Sequence, residues 1–183
     1  MKRNVFIAFL LMLIMIVVAV PIGVNNSLSK ERQNAQGSYY YDKTGFSIYQ
    51  GINARVDVAA NLIRVADNYK GENEKLTPLI NNLERAVNGT KTYSADYENE
   101  GEANLLLSVE AKALADELEK TNLSEKDEKY PRMMIAEMDS QQDMITRSSY
   151  NDDARAFNEK LEKFPANVFI KFTSVKPLYI FEE

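Results

Sequence analysis

Residues 150–164 read YNDDARAFNEKLEKF, and the apolar residues Tyr150, Ala154, Phe157, Leu161 and Phe164 recur at intervals of four, three, four and three. Such an interval repeats every seven residues and lays one continuous stripe along an α-helix that packs against another helix. The stripe predicts a helix from about Met134 to Lys163. The same spacing occurs upstream, where Ile52, Val56, Ala59, Ile63 and Ala66 predict a helix from about Phe46 to Lys70, with Gly71 suited to close it in the left-handed conformation. Leu76, Leu79, Ile80, Leu83 and Val87 predict a second helix from about Glu72 to Val87, stopped by Asn88-Gly89 and tolerating Pro78 only near its start. Leu107, Ala111, Leu114 and Leu118 predict a third, from about Tyr93 to Lys120. Ser124 followed by Asp127 reads as a capping signal for the fourth, with Pro131 in its first turn. Four striped helices on short connections bury their stripes on one another, so the expected fold class is all-α, an antiparallel bundle of about four long helices. Beyond Pro165, the apolar tail from Val168 to Phe181 suits either a short strand or an extended strap over the bundle end.

Upstream of the bundle, the twenty residues Val5 to Val24 carry no charge and follow Lys2 and Arg3. At ~1.5 Å per residue they span roughly the ~30 Å hydrocarbon core of a bilayer. This run is longer than the ~7–15 apolar residues of a signal peptide, and Pro21 follows closely on the weak cleavage site Val17-Val18-Ala19, which favours an uncleaved anchor. The resulting organisation is a membrane anchor at 1–24, a partly helical spacer at 25–44 and a bundle domain at 45–183. The run Tyr39-Tyr40-Tyr41 is expected to pack on the first bundle helix, with an interfacial aromatic belt as the other reading. By the positive-inside rule Lys2 and Arg3 stay in the cytoplasm and the C-terminal domain is exported, although Lys30 and Arg32 blunt the asymmetry.

Composition narrows the chemistry. Setting Lys2 and Arg3 aside leaves 20 basic against 27 acidic side chains with no basic cluster, so nucleic acid is not an expected partner. The chain contains neither Cys nor His. It therefore has no thiolate or imidazole nucleophile, no His- or Cys-based metal site and no disulfide. Asp96, Glu98, Glu100 and Gly101 imitate the opening of a calcium loop, but Leu107 stands where a bidentate Glu is needed. Neighbouring Asp152 and Asp153 point about 100° apart on a helix and make a poor acid/base pair. No metal or cofactor is expected.

Two polar groups coincide with the seams. Asp57, Asn61, Arg55 and Arg64 lie on or beside the first, and either dock a partner or, in the case of Arg55 and Asn61, bond across the bundle to Tyr150 or Asn151 and fix register. Arg147, Asn151 and Asn158 pose the same question on the last helix.

These residues also carry a family resemblance. Arg55-Val56-Asp57-Val58-Ala59-Ala60-Asn61-Leu62 resembles the first signature of LemA proteins, with Ala60 in place of a proline, and the match continues through Tyr69, Glu72, Glu74 and Leu76. Arg147, Tyr150, Asn151, Asn158, Phe164 and Pro165 resemble the closing signature. The stretch between Tyr130-Pro131 and Tyr150-Asn151 is shorter than usual, and a common tryptophan is absent. The resemblance implies a single-pass protein of the bacterial inner membrane with an antiparallel bundle of long helices and no assigned enzymatic activity. The expected function is accordingly a non-catalytic, membrane-anchored interaction or scaffold module with a protein partner in the envelope. The alternatives are a self-associating structural protein and an unrecognised carboxylate-dependent enzyme.

Overall fold

The computed structural model describes residues 2–43, 45–92 and 96–182. Seven α-helices follow one another among them: α1 (Lys2–Tyr40), α2 (Ile48–Asp67), α3 (Leu76–Thr92), α4 (Tyr97–Leu118), α5 (Tyr130–Thr146), α6 (Ser149–Glu162) and the short α7 (Ala166–Phe169), which runs into a 3-10 turn at Ile170–Phe172. The last residues to Glu182 are extended and form no strand, so the tail is a strap.

The seams form the first core. α2, α3, α4 and α5 pack side by side as a bundle, burying Val56, Ala59, Leu62 and Ala66 against Leu76, Leu83, Leu107, Leu114, Leu118 and Met138. α2 is launched by a reciprocal cap: Ser47 Oγ accepts from the Gln50 N–H while Gln50 Oε1 accepts from the Ser47 N–H, each at 3.2 Å.

A second core forms outside the bundle. It joins Leu28, Ala35 and Tyr39 of α1 to Tyr150, Ala154, Phe157 and Leu161 of α6 and to Val175, Leu178 and Phe181 of the strap, with Ile48, Ile52 and Ile145 linking it to the bundle. Residues 25–40, anticipated as a partly helical spacer, are thus helical and packed on α6. Tyr39 is fully buried and Tyr40 rests near Tyr49 of α2, while Tyr41 is exposed.

Four expectations are corrected. The helix from Met134 to Lys163 is two helices, because Ser148 is extended and caps α6, and the Asp42 carboxylate completes that cap by accepting from Ser148 Oγ, Ser149 N and Ser149 Oγ at 2.8–2.9 Å. An acid at a helix N-terminus is favourable electrostatically, and this one arrives from far away in sequence. α3 does not stop at Asn88-Gly89 but continues to Thr92, with Thr90 Oγ1 donating to the Val87 carbonyl and Gly89 facing Ala103 of α4. α2 closes without a left-handed Gly71, through tight bonds from the N–H groups of Asn68 and Tyr69 to Val65 and Ala66; the described glycine with positive φ is Gly45, at 88°. Ser124 Oγ does donate to Asp127, at 3.0 Å, but in a turn ahead of α5, whose start carries Pro131 as expected. The anticipated start of the third helix at Tyr93 lies outside the described residues; Asp96 caps α4.

The first half of α1 stands apart. From Phe6 to Ile22 its large apolar side chains are exposed, and among the described residues it is the helix long and apolar enough to cross a membrane. The chain is a single-pass membrane protein whose anchor continues into its folded body.

Candidate functional site

The polar residues singled out from sequence separate into three environments. Arg55 belongs to the first, a fully buried guanidinium inside the bundle. It donates to the side chains of Asn104 on α4, Gln142 on α5 and Ser108 on α4, and Asn104 Nδ2 also donates to Gln142 Oε1 at 2.9 Å. The expected bonds from Arg55 and Asn61 to Tyr150 or Asn151 do not occur, since those residues belong to the second core while Arg55 faces α4 and α5. Burial pulls the Arg55 guanidinium down to about 10, with Asp139 opposing the fall. It stays charged at neutral pH and is held by neutral dipoles. Asn104 and Gln142 were not anticipated, although each sits on a seam, three before Leu107 and four after Met138. A lone polar residue on an apolar stripe is the signal that could have found them.

The second environment is a pair of clamps on α6. Asn151 Nδ2 donates to the Phe181 carbonyl at 3.0 Å and its Oδ1 accepts from the Phe181 N–H at 2.9 Å. One helical step of seven residues further, Asn158 treats Leu178 the same way, both bonds at 2.8 Å. The arithmetic explains the spacing: seven residues of helix rise ~10.5 Å, and three extended residues span ~10 Å. Each side-chain amide therefore acts as a peptide of a neighbouring strand would. Asn151 also donates to two carbonyls in the last turn of α5, Ile145 at 2.9 Å, which the Ser148 N–H shares, and Thr146 at 3.1 Å. Tyr150, fully buried, donates its hydroxyl to the Tyr179 carbonyl at 2.9 Å. Gly101 of α4 leaves room for the Tyr179 ring, which a Cβ there would meet at 2.1 Å.

Beside the clamps, Tyr39 stacks on Tyr97 at 4.5 Å and donates to Glu100 Oε2 at 2.6 Å. Burial pushes the Glu100 carboxyl up to about 7, against the Tyr39 hydrogen bond, which favours the charged form. A raised carboxyl pKa is a feature of general acids. This one is 2% exposed and closed off by Tyr39, so it has no access to a substrate. The anticipated carboxylates are engaged elsewhere: Asp152 with Arg155 at 2.9 Å, and Asp153 as acceptor from Ser38 Oγ at 2.7 Å, joining α6 to α1. Asp96 caps α4, and no group of three or more His, Cys, Asp or Glu side chains suited to a metal ion occurs among the described residues.

The third environment is solvent. Asn53, Asp57, Asn61 and Arg64 are all exposed, stacked along the outer face of α2, with Arg64 donating to Asn61 Oδ1 at 3.1 Å. Arg147 closes α5 and is exposed, bonding back to Asp143. Phe164 and Pro165 leave α6 through a cis peptide bond, and Phe164 is 80% exposed.

The clamps and the buried guanidinium account for Arg55, Tyr150, Asn151 and Asn158, four of the residues on which the resemblance to LemA proteins rests. No curated protein and no solved structure is significantly similar to the chain. Residues 47–183, from the cap of α2 through the strap, match the LemA family, and the chain belongs to that family.

Proposed function

We propose that the protein is a non-catalytic scaffold of the bacterial envelope, tethered by α1 with its N-terminus in the cytoplasm and its bundle exported, and that the outer face of α2 receives a protein partner. The observation that carries this reading is the division within one signature segment. Arg55 turns inward and ties α2 to α4 and α5, whereas Asp57, Asn61 and Arg64 face solvent at helical spacing. Exposed polar side chains on a rigid helix are available for recognition without loss of fold. Crosslinking and mass spectrometry in native membranes tests it: the wild-type chain should crosslink reproducibly to envelope proteins through α2, and a D57A/N61A chain should lose those links at unchanged thermal stability. Unchanged links, or recovery of the wild-type chain without neighbours, would count against the reading.

Self-association has an observation of its own, the patch of Leu105, Leu106 and Val109 exposed on α4. On this reading, full-length protein in detergent forms a concentration-dependent oligomer that Leu106→Lys dissociates; a monomer at all concentrations in sedimentation disposes of it.

A further inference from the structure

We propose that the segment from Phe164 to Phe172 is an interfacial foot, resting on the headgroup and upper acyl region of the same bilayer that α1 crosses. Among the described residues outside α1, the exposed phenylalanines are Phe164 and Phe172, at 80% and 74%, and Val168 between them is 51% exposed. Val168 and Phe172, four apart along a backbone that turns helically from Ala166 to Phe172, share one side, and Phe164 stands just ahead of that turn, past the end of α6. The other side is spoken for, since Ala166 is buried and Ile170 packs into the second core.

The level of this segment follows from its contacts with α1. α7 and the 3-10 turn both pack on α1, Val24 joins the same core as Ala166 and Ile170, and Ser174 N–H donates to Asn25 Oδ1 at 3.3 Å. Asn25 is the first residue after the apolar run that fills the hydrocarbon core. The three exposed apolar side chains are thus held beside the point where α1 leaves the membrane. Further from it, Tyr39 meets Glu100 fourteen residues later, roughly 21 Å along the helix. Lys163 and Lys171, both exposed, flank the apolar face and can extend their stems toward lipid phosphates. Aromatic side chains with adjacent lysines are the composition that settles at a membrane–water boundary. Continuity with the crossing helix selects lipid over a protein as the occupant of this face.

The absence of tryptophan from the chain makes the test direct. Full-length Phe164→Trp, Phe172→Trp and, at an exposed position on α5 in the bundle, Met133→Trp each carry a single indole. They are reconstituted in phosphatidylethanolamine–phosphatidylglycerol vesicles, with and without bromine on the upper acyl chains. The foot variants should emit at shorter wavelength than Met133→Trp and be quenched by the brominated lipid, while Met133→Trp is unaffected. Water-like emission without quenching from both foot positions overturns the proposal. Short-wavelength emission without bromine quenching also overturns it, and assigns the face to a second copy or another protein.

Discussion

Arg55 and Asn61 lie six residues apart on one helix and have opposite duties. Removing Arg55 by R55A takes the guanidinium donor from the buried Asn104 and the half-buried Ser108, and leaves Gln142 Oε1 with Asn104 alone. Chemical denaturation should show a loss of about 1–3 kcal/mol, while N61A should stay within about 0.5 kcal/mol of wild type. Glu100 answers to pH instead. Its folded carboxyl titrates near 7 against an ordinary 4.5. Below 4.5 it is neutral in both states and costs nothing. Between those values the unfolded chain ionises while the folded one does not, so stability falls as pH rises and levels off above 7. E100Q removes that fall and keeps an acceptor for Tyr39. The variant should match wild type near pH 4 and exceed it by on the order of 3 kcal/mol at pH 8, read as melting temperature against pH. Equal stability across that range would show that Glu100 is solvated.

The elements were legible wherever one stripe decided the outcome. The seams on α2 and α4 are buried as their spacing requires, and so are Tyr150, Ala154, Phe157 and Leu161 on α6, whereas Phe164, the last residue of that stripe, lies past the end of α6 and is exposed. What periodicity could not show is contact between distant segments. The break at Ser148 depends on Asp42, and the strap's course depends on two asparagines whose partners are main-chain atoms near the C-terminus. A side-chain amide bonded to a backbone leaves no pattern in the sequence it binds. The clamps predict that N151A and N158A speed amide exchange locally, at Phe181 and Leu178 respectively, with losses of about 1–3 kcal/mol each. N151A should be the costlier, since it also uncovers the end of α5. Slow exchange retained at both amides would mean that apolar burial alone holds the strap.

At the scale of the whole molecule, residues 25–40, which the sequence reads as spacer, supply Leu28, Ala35 and Tyr39 to the second core. A chain beginning at residue 25 keeps Leu28, Ala35 and Tyr39 and should melt cooperatively, whereas one beginning at 45 loses them from the second core. Each large side chain so removed is worth about 1.5–3 kcal/mol of burial, so the shorter chain should bind hydrophobic dye and melt at lower temperature. Fold class was readable because the anchor and the four stripes are local properties; the second core was not, because it is assembled from both ends of the chain. That assembly has a mechanical corollary. One helix of 39 residues, close to 60 Å at ~1.5 Å per residue, is at once keel and mast, bonded to the hull at Ser38–Asp153, Glu31–Lys160 and Arg32–Lys176. Pro21 removes one rung of that helix just below its exit, yet the helix continues through it. A lean that a thin bilayer imposes on the keel therefore passes to everything above deck, and neutron reflectometry on short- and long-chain lipids should register it as a change in the height of the bundle.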